Sequence, residues 1–386
     1  MSQTDDSTGA ARILDRRAML RGGATATALA GLGPLGLGLP LSPERRTRRV
    51  VLIAFAGGVR TRETFGAPDN VPNLRAMADE GVLYPRAQTA NLGHFGASLS
   101  ILTGVAEARG IRENARGTDP TLFEYLRKDL GLSAGDVWVS TSGGTQQTNY
   151  SHGLHPDYGA RYGATALDGD GIFNREFKEL LASHGRLRPR DAGEQRALGQ
   201  LRAGLAGSND EERESMERVE SYILRELEGG TTAISGAGAG DLKAIRLAQG
   251  LLSVFKPRVL TIVLQNADIA HGSYNGYVEV IRRNDAAIGE LWNIVKADPE
   301  LAESTAFFVL PEFGRDADLN ARRGLDHGDG SEDLRRVSLL AWGPDFRKGR
   351  EASDEVRTID VTPTICDLLG AEARHSRGRV LPGLYA

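Results

Sequence analysis

Apolar runs that break abruptly into polar or glycine-rich loops recur along this chain, and no other feature constrains its fold as much. Residues 50–60 read VVLIAFAGGVR, a β-forming and small apolar run that ends on Gly57-Gly58 and a basic residue. DVWVSTSGG from 136, PRVLTIVLQNADIAH from 257, STAFFVLPEFGRD from 304 and VSLLAWGP from 337 repeat the pattern. Between them lie amphipathic stretches with helical spacing. Leu74, Met77 and Ala78 share one face, as do Leu122, Tyr125, Leu126 and Leu130, and Val280, Ile281, Ala287, Ile288 and Leu291. SLSILTGV, 98–105, reads as a helix closing at Gly104. VTPTICDLLG reads as a closing helix with Pro363 in its first turn and Asp360 and Thr362 as its caps. Strands alternating with helices predict an α/β sandwich around a largely parallel sheet, whose ligands bind beyond the strands' C-terminal ends.

Composition narrows the function classes. The 386 residues are 40% hydrophobic with a formal charge of −4, which argues against a nucleic-acid partner, since that needs a basic face. The single cysteine, Cys366, has no disulfide partner in the chain and sits in an apolar run as a small core residue. At the N-terminus, DRRAMLRGG is followed by GGATATALAGLGPLGLGLPL, whose six glycines and two prolines make it a poor membrane span. Arg16-Arg17 before a weakly apolar stretch reads as a twin-arginine export signal over residues 1–42. The expected location is therefore periplasmic or extracellular, with a membrane tether only if the signal stays uncleaved. Residues 151–255, rich in Gly, Arg, Asp and Glu, read as a helical insertion or cap within one domain spanning 48–386. His152, His155 and His184 are expected on its surface.

The strand ends gather Ala56-Gly57-Gly58, the segment from His94 to Ser100, Asp268 and His271, Glu312-Phe313-Gly314-Arg315, and Asp326-His327. Imidazoles and carboxylates meeting at one sheet edge suit zinc or another divalent transition metal. The Asp268–His271 spacing fits one turn offering two ligands. Where many enzymes place an acid at the end of the first strand, this chain has Ala56.

Taken in order, DRRAMLRGG, VVLIAFAGGVR, PNLRAMADEGVLYPRAQT, SILTG, DIAHGSYNGYVEVIRRNDAAIGELW, VLPEFGRD, LDHG, LLAWGP and TIDVTPTICDLLG resemble the alkaline phosphatase and sulfatase superfamily. PEFGRDADLN followed by LDHG resembles its exported, twin-arginine-tagged sulfatase-like members. The resemblance implies an alkaline-phosphatase-like three-layer sandwich, up to two metals, and a hydroxyl or formylglycine nucleophile that attacks phosphorus or sulfur. It further implies Asp268, His271 and His327 as ligands of one metal, with Glu312 as a possible fourth. Glu312-Phe313 stands where an Asp-His pair would bind the second metal, and Ala56 where the first strand's metal-binding Asp would be. His94 occupies the nucleophile's place, with Ser98 and Ser100 as nearby hydroxyls that helix packing explains equally well. Arg315 would clamp an oxyanion, or pair with a core acid. Asp326 would orient His327 or fix the local turn.

Two functions follow from this pattern. One is a relative with a degenerate metal site that lacks two-metal phosphatase or sulfatase chemistry and keeps the cleft for binding or assembly. The other is a single-metal hydrolase of small or polymeric phosphate or sulfate esters, with zinc the first choice of metal, built on Asp268, His271 and His327.

Overall fold

The computed structural model describes residues 45–106, 115–142, 149–168 and 234–386. Among the described residues there are eight strands, most of them the apolar runs: β1 Arg49–Phe55, β2 Val82–Gln88, β3 Val137–Thr141, β4 Thr165–Asp168, β5 Val259–Leu264, β6 Thr305–Pro311, β7 Arg336–Trp342 and β8 Arg350–Glu351. They make one sheet in the order β4-β3-β5-β1-β6-β7-β2-β8. β7 pairs antiparallel with both β6 and β2, and every other pairing is parallel.

β1 is central, and alternation along it explains the layers. Val51, Ile53 and Phe55 enter one core with Leu74, Met77, Ile245, Leu251, Val280 and Ile288. Val50, Leu52 and Ala54 enter the other with Phe95, Leu99, Leu126, Ile365 and Leu368. A strand buried on both faces must be a continuous apolar run, and each such aliphatic side chain contributes about 1.5–3 kcal/mol on burial. The helices Pro72–Asp79, Ala239–Phe255 and Tyr274–Ala297 cover the first face, and His94–Thr103, Leu122–Leu130 and Val361–Leu369 the second. This is the three-layer, mostly parallel sandwich expected. Among the described residues no helix is long and apolar enough to cross a membrane.

Helix ends follow local chemistry. Thr121 and Glu124 form a capping box on Leu122–Leu130. Gly104 closes His94–Thr103 at φ 71°, a left-handed turn that glycine adopts without strain. The capping of the last helix differs from expectation. The Asp360 carboxylate accepts instead from the backbone N–H groups of Arg357 and Arg379, and the Thr362 hydroxyl donates to the carbonyl of Ile101. Both side chains tie loops to the helix and leave its first turn uncapped by either.

The region 151–255 also needs narrower bounds. Thr165–Asp168 is the sheet's edge strand beside β3, and Ala239–Phe255 packs its apolar stripe on the sheet, so both ends belong to the core. His152 and His155 are both half-buried. The export segment 1–42, residues 169–233 and His184 lie outside the described residues.

Candidate metal centre at the strand ends

Strand order brings the site together. β1 lies between β5 and β6, so Ala56, the turn after β5 and Glu312 after β6 become neighbours. Gly57 and Gly58 are required for this closeness. A Cβ at Gly57 would stand 2.5 Å from the Gln265 carbonyl oxygen and 2.6 Å from the Asp268 nitrogen. Gly58 has φ +66°, and a Cβ there would meet Arg315 and Phe313 at 2.9 Å. The 3-10 turn Asn266–His271 carries Asp268 and His271 on one side. Its entry is held by the fully buried Asp241, which accepts from the Gln265 and Asn266 backbone N–H groups, from Ser142 at 2.5 Å and from Asn284 at 2.8 Å.

Three imidazoles converge here. His94, His271 and His327 each offer a ring nitrogen, and these three atoms lie within 4.8 Å of one another. Each ring uses its Nδ1 elsewhere. His94 Nδ1 is 2.6 Å from Glu312 Oε1 and 3.2 Å from the Ala56 carbonyl. His271 Nδ1 is 2.6 Å from Asp326 Oδ1, and His327 Nδ1 is 3.2 Å from the Leu92 carbonyl. A carbonyl or an ionised carboxylate only accepts, so the Nδ1 atoms carry the protons and Nε2 is the nitrogen left for a ligand. Phe313 packs against two of the rings, with centroids 4.9 Å from His94 and 5.1 Å from His327.

Charges within the site are strongly coupled. Asp268 Oδ1 lies 2.5 Å from Arg315 Nη2, 3.1 Å from His94 Nε2 and 3.3 Å from His271 Nε2. The His94–Asp268 contact is close but poorly aligned, and His94 Nε2 is buried without a directed hydrogen bond. Burial opposes charge on His94, yet the carboxylates of Asp268 and Glu312 outweigh it and raise its pKa to about 10. Burial likewise opposes charge on Asp268, but His94 and Arg315 hold its carboxyl well below the usual range. Burial pushes Glu312 up to about 7 while His94 and Ser98 pull the other way. His327 is lowered by burial and by the positive charges of His94 and Arg315.

This donor set fits one divalent cation. One ring nitrogen from each of the three imidazoles lies in a common cluster, each Nδ1 has an acceptor that would orient its ring, and His94 Nε2 is buried and undirected; metal-ligating histidines share these features. Asp268 stands within reach of two of the three rings.

Several expected roles change. Glu312 is fully buried, with Oε1 on His94 and Oε2 accepting from the Ser98 hydroxyl; both oxygens are engaged, and the carboxylate holds the His94 ring. Ser98 is 1% exposed and committed to Glu312, which leaves it without access to a substrate, while Ser100 bonds back to the Gly96 carbonyl. Arg315 is fully buried with all five N–H groups engaged, so the oxyanion clamp is not available in this state. Nε donates to Gly58 O, Nη1 to Leu325 O and His271 Nε2, and Nη2 to Gly57 O and Asp268 Oδ1. Asp326 orients His271 and not its neighbour His327. Sequence reasoning missed His94 as the third imidazole. It also missed Tyr150, whose fully buried hydroxyl lies beside Ser98, Gln265 and Glu312 without a well-aligned partner. A cavity of about 760 Å³ opens beside the centre, lined by Ala56, His94, Asp268, Gln265, Ile269 and the glycine-rich segment 236–240.

The sequence matches no protein-family model and no curated protein. The fold does find counterparts. It is similar to alkaline phosphatase PafA, with a TM-score of 0.56 at 11% identity over 89% of this chain and 100% of that one. It is similar to a protein assigned as a sulfatase from Bacteroides thetaiotaomicron, with a TM-score of 0.51 at 12% identity over 87% of this chain and 74% of that one. It is also similar to the lipoteichoic acid synthase LtaP from Listeria monocytogenes, with a TM-score of 0.50 at 10% identity over 86% and 74%. At such identities the likeness establishes the architecture shared across the alkaline phosphatase and sulfatase superfamily, and the activity has to be argued from the site.

Proposed function

We propose that this chain, which carries the alkaline phosphatase and sulfatase fold, is a single-metal hydrolase of phosphate or sulfate esters that works without a side-chain nucleophile. The observation that carries the reading is the convergence of His94, His271 and His327 with every Nδ1 already occupied. His94 stands where the resemblance would place the nucleophile, and its ring is turned to serve as a ligand. A divalent ion held there would supply Lewis-acid charge to an ester oxygen and acidify a water. Glu312 and Asp326 fix the rings of His94 and His271, and Asp268, kept ionised by Arg315 and His94, would add negative charge beside the cation at the edge of the adjoining cavity. A second metal has little support: Ala56 offers no ligand, Phe313 is apolar, and Glu312 has both oxygens engaged.

Ala56 and Phe313 also favour a second reading, a non-catalytic relative that retains the cleft for binding. Arg16-Arg17 supports export of either form. Chromogenic phosphate monoesters, phosphate diesters and sulfate esters offered to zinc-loaded protein separate the two. The hydrolase reading expects turnover that survives Ser98→Ala and is lost in His94→Ala. Loss of turnover in Ser98→Ala would restore a covalent serine mechanism, and zinc bound with no turnover on any ester class would favour the binding relative.

A further inference from the structure

The geometry points to Arg315 as a resident cation that competes with the metal for His271, an inference that rests on the single-metal reading above. His271 has its Nδ1 proton committed to Asp326 at 2.6 Å, which leaves one lone pair, on Nε2. That lone pair faces Arg315 Nη1 at 3.1 Å, and an arginine can only donate. One lone pair cannot accept from a guanidinium and ligate a metal at once, so the two states of His271 exclude each other. Asp268 has two oxygens and can serve both partners; the conflict is confined to His271.

The guanidinium is held firmly enough to be a real competitor. It is fully buried, and three backbone carbonyls, those of Gly57, Gly58 and Leu325, fix its plane. Gly58 permits this approach, since a Cβ there would stand 2.9 Å from Arg315 Nε. Metal entry therefore requires Nη1 to release His271 while the remaining contacts keep the side chain in place. The consequence is twofold. Metal binding is weaker than three imidazoles alone would give, because it displaces a hydrogen bond and places a dication beside a fixed positive charge. The released N–H would then be the one free donor of Arg315, so an oxyanion contact would be available only in the metal-loaded state.

The test is zinc affinity by calorimetry for the wild type and Arg315→Met, which keeps much of the side chain's length without charge or donors. The inference expects Arg315→Met to bind zinc at least tenfold more tightly; equal or weaker binding would overturn it. Should that variant fail to fold, the wild type answers alone through its arginine side-chain and histidine ¹⁵N resonances during zinc titration. The expected result is a shift of an Arg315 N–H signal with the same midpoint as the His271 Nε2 signal, and an Arg315 spectrum unchanged by zinc would overturn the inference. If the wild type binds no zinc at all, it is the single-metal reading that fails.

Discussion

The Nδ1 atom of His94 lies 2.6 Å from Oε1 of Glu312, a carboxylate with no solvent exposure. This pairing fixes which nitrogen of a residue at the start of a helix carries the proton and leaves the other one available to a ligand. Replacing Glu312 with Gln keeps the shape and removes the charge. The expected outcome is zinc binding weakened about 10- to 100-fold with the fold retained, read by calorimetry and circular dichroism. Unchanged affinity would separate Glu312 from the centre.

Zinc uptake should depend on pH with a definite sign. In the metal-free protein the carboxylates of Asp268 and Glu312 outweigh burial and keep His94 protonated up to about pH 10. Zinc and that proton compete for Nε2. Lowering the pH therefore weakens binding, by about tenfold per pH unit for one proton released. Dissociation constants measured between pH 6 and 9 check this, and a flat profile would mean that His94 does not ligate.

Gly58 cannot be replaced cheaply. Its φ is +66°, and a Cβ would meet Arg315, Gly314 and Phe313 at 2.9 Å. Gly58→Ala should lose at least about 2 kcal/mol of stability from left-handed strain and crowding, measured by urea denaturation. A neutral result would show that the strand-end turn relaxes without cost.

Cys366 is fully buried, and burial raises its thiol pKa. The native protein should resist a thiol reagent, with labelling appearing only as the chain unfolds in denaturant. Rapid labelling of folded protein would contradict the core position.

Fold and site differ in how much of them can be read from the residues alone. β1 was legible because a strand buried on both faces must be a continuous apolar run, and the helix Tyr274–Ala297 because one buried face imposes a helical period. Asp268 and His271 were legible as a pair because three residues span one 3-10 turn. The short edge strand Thr165–Asp168 was not, since four residues in a polar region carry no such period. The convergence of His94 with His271 and His327 was hidden for a different reason: it follows from β1 lying between β5 and β6, a spatial order that no local motif records. The saturation of Arg315 was hidden too, since three of its partners are backbone carbonyls, which every residue type presents alike.

The central claim is one metal held by three histidines, and titration of zinc into chelator-treated protein, wild type beside His94→Ala, tests it most directly. The account predicts one equivalent bound by the wild type and an affinity at least about tenfold lower when one of the three imidazoles is removed. Absence of zinc binding in the wild type, or an unchanged isotherm in His94→Ala, would contradict it.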